Sequence, residues 1–599
     1  MANNLIERAL AIRKIKDLYS TLPDSRDPHQ FLYDALTLLG IRHSIGQEDL
    51  KPIPGAGPTI VIANHPFGGI DGVLLASLLC SVRKDVKVLA NFFLGKIPDL
   101  RPLFIEVDPF ERHSSIKKNR VALRQAVRWL KNGGMLLVFP AGEVSHFRWE
   151  NRKIEDPCWH TTVARLIRWS QATVVPVYFK GHNSLPFQIA GLIHPLLRTM
   201  LLPREMLKKR QTQIGLKIGS AIPYKRLQNI DKDADLTAYL RFRTYLLGNA
   251  FAKTPGFLNT PEKIFKNKKT PQSIVSPVCL RDLAKEIDQL PKQQMLISNK
   301  NLAVFTASAK QVPRVLEELG RLREYTFRKA GEGTGRTIDL DRFDRHYIHL
   351  FVWNHDKKEI AGAYRLAPSD EILRKMGREG FYTYTLFEYR DRLLRQIGPA
   401  LEMSRSFVRP EYQKNYAPLM LLWKGIGQFV VRYPRYKILF GAVSITNEYK
   451  SYSRQLMAAF LASNNFFQEL ASMIRPRKPF RQKCIPELEG PKAQCWPDDI
   501  EELSSWIAGI ETDGKGVPIL LKQYVKLGGQ LLVFNIDPSF GNVLDGLMMV
   551  DLTRTDPKIL KRYMGPEGYT LFMSHHRELD VTFPSIASAA LSDTLSHAS

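Results

Sequence analysis

The chain has 599 residues, 44% of them hydrophobic and 24% charged, an ordinary globular composition that argues against disorder. Its length exceeds what one hydrophobic core usually organises, so two domains or more are expected. With 86 Lys and Arg against 59 Asp and Glu, its formal charge of +27 attracts polyanions: nucleic acid, anionic lipid or acidic protein.

The opening MANNLIERALAIRKIKDLYS breaks every apolar run with charge, unlike a signal peptide. Helical spacing is read in residues 1–50, first at Leu5, Ile6, Ala9 and Leu10, then at Phe31, Leu32, Ala35, Leu36 and Leu39. From Pro58 to about Ser220 short apolar strands alternate with helices: TIVIAN (59–64), VKVLAN (86–91), PLFIEV (102–107), GMLLVFPA (134–141), ATVVPVYF (172–179) and QIGLKIG (213–219). Such alternation predicts a layered α/β domain over 1–251 with a largely parallel sheet. The longest apolar stretch, Phe187–Leu202, is interrupted by Gln188, His194, Pro195 and Arg198. It is too broken to span a bilayer and suits either a bilayer interface or a buried helix pair. Residues 252–276, rich in Pro, Lys, Asn and Thr, read as a linker.

A second α/β block is read over 277–568. It has strands at 301–307, 346–354, 359–367, 400–408, 436–445 and 530–540, and helices from Pro313 and near Ala417. Residues 569–599 carry little pattern and are read as a tail. The cysteines Cys80, Cys158, Cys279, Cys484 and Cys495 are scattered and never spaced CxxC, so neither disulfide framework nor metal site is expected. The expected location is cytoplasmic, peripheral at the inner face of the membrane.

Strand TIVIAN runs into His65-Pro-Phe-Gly-Gly-Ile-Asp71. A carboxylate beside a histidine can hold one ring nitrogen and leave the other to take a proton from a hydroxyl, which makes His65 and Asp71 candidate catalytic residues. The plainer alternative is a loop histidine with a helix-capping aspartate. Asn64-His65 with Asp71, Phe139-Pro-Ala-Gly-Glu143-Val-Ser145 and Val175-Pro-Val177 together resemble the lysophosphatidate acyltransferase family over about residues 55–225. The spacing to Asp71 is one residue longer than that family's, and the Gly68-Gly69 pair is expected to absorb it before the helix begins. Ala141 stands where the family has Glu, which leaves Glu143 as the candidate substrate-binding carboxylate. Phe104-Ile-Glu106-Val-Asp108 is acidic where the family binds phosphate, so a zwitterionic or cationic acceptor is expected.

In the second block Arg323, Asp341, Asp344, Arg365, Glu402 and Arg405 stand out. On a strand, residues i and i+3 face opposite sides, so Glu402 and Arg405 are expected to do different jobs, one toward a cleft and one inward to Asp341 or Asp344. The alternative is a structural salt-bridge lattice. Arg323…Phe327, Asp341-x-x-Asp344, Gly362-Ala-Tyr-Arg365 and Glu402-x-x-Arg405 resemble, in order, the acyl-homoserine-lactone synthases and ornithine N-acyltransferases of GNAT fold. The pair of resemblances implies a bifunctional enzyme making an ornithine-type lipid. The second domain would join a 3-hydroxyacyl group to the amino acid, and the first would acylate the hydroxyl of that lyso-lipid. Glu402 would act as base, and Arg323, Asp344, Arg365 and Arg405 would line the substrate site. Gln413–Ala417 lacks the glycines of a pyrophosphate turn, which favours acyl carrier protein over coenzyme A as donor. No resident cofactor and no nucleic-acid partner are expected, while an anionic membrane surface is. The rival readings are one active domain with a regulatory second, or a basic haemolysin-like membrane-binding protein.

Overall fold

A computed structural model of the chain describes residues 12–22, 27–91, 98–107, 113–150, 152–252, 271–483, 485, 496–497 and 499–582. They form two units, Met1–Thr254 with Ile485–Gly516, and Pro255–Cys484 with Val517–Ser599. The predicted helical spacing at Leu5–Leu10 and most of the predicted linker lie outside the described residues.

The first unit contains β1 (Thr59–Ala63), α1 (Gly69–Val82), β2 (Val86–Asn91), β3 (Phe104–Val107), α2 (His113–Lys131), β4 (Met135–Val138), α3 (Thr162–Ser170), β5 (Thr173–Phe179), α4 (Leu185–Ile193), α5 (Pro195–Lys208), β6 (Leu216–Ile218) and α6 (Asp233–Leu246). Its six-stranded sheet has the order β6-β5-β1-β4-β2-β3, parallel except for β6. β1 and β4 are buried along their whole length, which is why TIVIA and MLLV read as continuous apolar runs rather than as alternation. Phe31, Leu32, Leu74 and Leu79 pack on Val61, Val88, Leu137 and Val175, one face of the sheet.

The second unit contains β7 (Met295–Asn299), β8 (Leu302–Ser308), α7 (Pro313–Lys329), β9 (Ile348–Asn354), β10 (Glu359–Pro368), β11 (Ala400–Val408), α8 (Ala417–Arg432), β12 (Ile438–Ile445), β13 (Gln530–Asp537) and β14 (Val543–Asp551). The eight strands run β7-β8-β9-β10-β11-β12-β14-β13, all antiparallel except the pair β11–β12. That pair is in register only over Ala400–Glu402 and Ile438–Phe440, so the strands part after Glu402. There β11 also bulges: Arg405 and Ser406 stand opposite Tyr364 alone, and Arg405 takes a left-handed φ of 51°.

Both α/β domains are therefore present, with three corrections to the boundaries. Residues 485–516, expected inside the second domain, belong to the first unit. The helix Ile500–Ile510 buries Leu503, Trp506, Ile507 and Ile510, with Trp506 edge-on to Phe242 at 5.1 Å and the Tyr239 hydroxyl donating to Glu502 at 2.6 Å. The end of the expected linker is tied down, because Gln272 N donates to Gly335 O and Val275 N to Thr337 O at 3.0 and 3.1 Å. A helix, Pro566–Thr582, runs through the start of the expected tail and fully buries Phe572.

Candidate active sites

In the first unit, β1 ends at Ala63 and Asn64 takes over its ladder. The amide Nδ2 donates to Phe179 O at 3.0 Å and Oδ1 accepts from Phe179 N at 2.7 Å. This holds His65 at the carboxyl ends of the parallel strands, where open α/β sheets place their ligands. The ring lies 4.2 Å from Phe139, and its Nδ1 is 3.1 Å from Asp71 Oδ2. The same oxygen accepts from Phe67 N and Gly68 N at 2.8 and 3.1 Å, so Asp71 serves ring and turn together. Burial raises the Asp71 carboxyl above its usual range, while His65 and the two amides oppose the shift. Gly68, at φ 85°, makes the turn, and α1 starts at Gly69, so the extra residue is taken up before the helix.

Behind His65 stands Asp156, which the sequence reading missed. Its Oδ1 accepts from His65 N at 3.1 Å and from Ser145 Oγ, and its Oδ2 from Trp159 Nε1 at 3.0 Å. Ser145 N donates to His65 O at 2.9 Å, binding the two motif loops together. Glu143 does not face His65 through any of these contacts. It is half exposed and paired with Arg198 Nη2 of α5 at 2.6 Å. Of the acidic pair expected to meet the acceptor, Glu106 is exposed on β3 and Asp108 lies outside the described residues.

In the second unit the predicted arginines and aspartates converge on one buried network. Arg323 Nη1 donates to Asp344 Oδ1 at 2.7 Å, and Arg365 Nη1 reaches Asp341 at 2.7 Å and Asp344 at 3.2 Å. Arg405 lies 3.0 Å from Asp339 and 3.7 Å from Asp341. Three cations meet three carboxylates, and the arginines hold Asp344 well below the usual carboxylate range. The salt-bridge lattice is thus real, and it occupies Arg323, Arg365 and Arg405 with protein carboxylates. His349, buried beside Arg323, is pushed down to about 4.

Glu402 stands apart from the ion pairs and is fully buried. It accepts from Thr383 N at 2.7 Å, from Tyr382 N at 3.2 Å and from the Tyr347 hydroxyl. Of the two residues expected to do different jobs, Arg405 pairs inward with Asp339 and Asp341 at the bulge of β11, and Glu402 is enclosed by Tyr347 and the Tyr382–Thr383 turn. Burial raises the Glu402 carboxyl, while Thr383 and Tyr347 oppose the shift. On the far side of Arg405 lies a set of carboxylates without a sequence signal. Burial and neighbouring carboxylates push Glu332 up to about 8 and Asp545 up to about 7, and Asp537 is raised as well. Ser444 donates to Asp545 at 2.7 Å.

Residues 2–254 match the family described as acyltransferase, and residues 322–424 match the acetyltransferase (GNAT) domain family. A glycine N(alpha)-acyltransferase of Bacteroides thetaiotaomicron is 30% identical over 304 residues, 48% of this chain and 89% of that protein. The chain belongs to the acyltransferase family. A second glycine N(alpha)-acyltransferase, from Phocaeicola vulgatus, is 29% identical over 290 residues, 45% of this acyltransferase and 86% of that protein. The lyso-glycine lipid O-acyltransferase of the same organism is 28% identical over 205 residues, 33% of this acyltransferase and 71% of that protein.

Proposed function

We propose that this acyltransferase builds a diacylated aminolipid in two steps on one chain. The observation that carries the reading is that the chain covers most of the length of two kinds of relative, one named for N-acylation and one for O-acylation. In the first step the amino group of an amino acid attacks the thioester carbonyl of a 3-hydroxyacyl donor. A C–N bond forms, the C–S bond breaks, and the thiol leaves. Glu402 takes the amine's proton by way of the Tyr347 hydroxyl that donates to it, and the proton returns to the leaving thiolate. In the second step the 3-hydroxyl of that lyso-lipid attacks a second thioester. His65 Nε2 takes the hydroxyl proton and passes it to the leaving thiolate, while Asp71 steadies the imidazolium. The donor is acyl carrier protein, an acidic partner suited to a chain of net charge +27, and the lipid steps take place at an anionic membrane surface. Among the described residues no helix is long and apolar enough to cross a membrane.

The head group is proposed to be ornithine. Supporting a second ammonium are the raised carboxyls of Glu332, Asp537 and Asp545, which a cation would relieve. Glycine is the second reading, favoured by the names of the relatives. The test is mass spectrometry of products formed by the purified chain from 3-hydroxyacyl carrier protein with ornithine or glycine. Ornithine is expected to give the faster N-acylation, and equal or faster turnover of glycine overturns that choice.

A further inference from the structure

Helices α4 and α5 form a hairpin whose polarity is the reverse of a soluble helix pair. The side chains it turns toward the body of the first unit are largely polar. Gln188 accepts from Phe147 N at 2.9 Å and Arg198 pairs with Glu143 at 2.6 Å, while Glu205 ties α5 to the start of α4 by accepting from Ser184 N at 2.9 Å and Ser184 Oγ at 2.6 Å. All three are buried, and Phe187 is the main apolar anchor among them. The outward surface carries Leu185, Ile189, Leu192, Ile193, Leu196 and Met200, with Leu185 71% and Ile193 72% exposed. A surface helix normally shows its apolar stripe to the core. A contiguous exposed apolar face of this kind marks an interaction site.

Two further observations identify what it meets. Residues 185–210 contain five basic side chains, Arg198, Arg204, Lys208, Lys209 and Arg210, against one acid, the buried Glu205. Arg204, Lys208 and Arg210 are exposed at the end of α5. Apolar side chains with a basic border match an anionic lipid surface, even with Arg198 paired to Glu143 and Lys208 to Glu205. The hairpin also touches the catalytic turn: a Cβ on Gly68 would lie 3.1 Å from Leu202, and Lys209 sits 4.5 Å from the Phe67 ring centroid.

We propose that the α4–α5 hairpin seats its outer face in an anionic lipid surface and so brings the hydroxyl of a membrane-held acceptor to His65. This rests on the reading of the first unit as the O-acylating one. The hairpin's burial depth would match an interfacial element, a few ångströms below the headgroups, and not a span.

The test uses the full chain and vesicles of phosphatidylcholine with or without phosphatidylglycerol. The parent is expected to sediment with the anionic vesicles, less so at high salt. Leu185→Asp/Ile193→Asp is expected to weaken that binding at least tenfold with an unchanged thermal melt. Tyr33→Asp, at an exposed aromatic elsewhere on the unit, should stay within twofold. In Ile193→Trp, emission gained over the parent should be quenched by brominated acyl chains. Parent-like binding of the double variant, or no quenching at position 193, overturns the proposal. So does a parent dimer that the double variant dissociates, since the face would then cover a second copy. Failure of the underlying reading looks different: the parent would make no O-acyl product even from lyso-lipid in detergent micelles.

Discussion

At the scale of single residues, His65 and Glu402 are both proposed to move protons, yet their surroundings differ. His65 keeps part of its ring in solvent, with Nδ1 held 3.1 Å from Asp71. His65→Ala should therefore lower O-acylation by about a hundredfold to ten-thousandfold while the mono-acylated lyso-lipid accumulates, read by mass spectrometry of extracted lipid. Normal diacyl product would return His65 to a loop role. Glu402 has both oxygens engaged by Thr383, Tyr382 and Tyr347. Glu402→Gln should cut N-acylation steeply at pH 7 and recover partly as pH rises, since the ammonium substrate then loses its proton more easily. A variant that matches the parent at pH 7 but melts lower would assign Glu402 to holding the Tyr382–Thr383 turn.

Glu332 supplies a pH test of stability at the same scale. Its folded carboxyl is pushed up to about 8 from an ordinary 4.5, so the folded state holds a proton that the unfolded state releases. Its contribution is complete below about 4.5 and is lost as pH climbs through about 8. Glu332→Gln stays neutral throughout. Its melting temperature should exceed the parent's by a few degrees near pH 8.5 and equal it near pH 4.5. Equal pH slopes for the two proteins would show that Glu332 is not held protonated.

At the scale of elements, the bulge on β11 does two things. It resets the alternation of the strand, and it buries Arg405 against Asp339 and Asp341 at the point where β11 leaves β12. A left-handed arginine persists only where its surroundings over-determine it. Arg405→Ala leaves Asp339 without its ion pair, although Asp341 keeps Arg365, and should cost about 3–5 kcal/mol in denaturant melts of the second unit. A loss below about 1 kcal/mol would mean that the pair is solvent-screened. The turn at Gly68 is the corresponding device in the first unit, where positive φ lets two amides point at one Asp71 oxygen.

At the scale of the whole molecule, the sequence suggests a linker at residues 252–276 between two domains, whereas the first unit also draws on residues 485–516. The helix Ile500–Ile510 belongs to the first unit and seals it with Trp506 at 1% exposure. Residues 1–254 alone should consequently aggregate or melt early, and co-expression with residues 496–516 should restore a cooperative melt. In the full chain, Trp506→Ala should cost about 3–5 kcal/mol in the first unit's transition. A stable, soluble 1–254 fragment would show that the helix is dispensable.

The sequence by itself determined the elements and marked His65 and Asp71 as neighbours. Continuous apolar runs are the mark of buried parallel strands, and β1 to β5 are found where TIVIAN, VKVLAN, PLFIEV, GMLLVFPA and ATVVPVYF predict them. His65 and Asp71 meet because they are local, six residues apart across one strand-to-helix turn. What needed tertiary structure was everything carried by distant partners. Asp156 reaches His65 across 91 residues, the helix 500–510 packs onto Phe242, and Asp545 of β14 acts on Glu332 of the loop after α7. Periodicity cannot register such pairings, because it reports which face of an element is apolar and not which surface that face will meet. The arginines of the second unit make the same point. Their spacing was legible, but only the fold decided that Arg323, Arg365 and Arg405 neutralise one another's aspartates, since a charge's role depends on what is buried beside it.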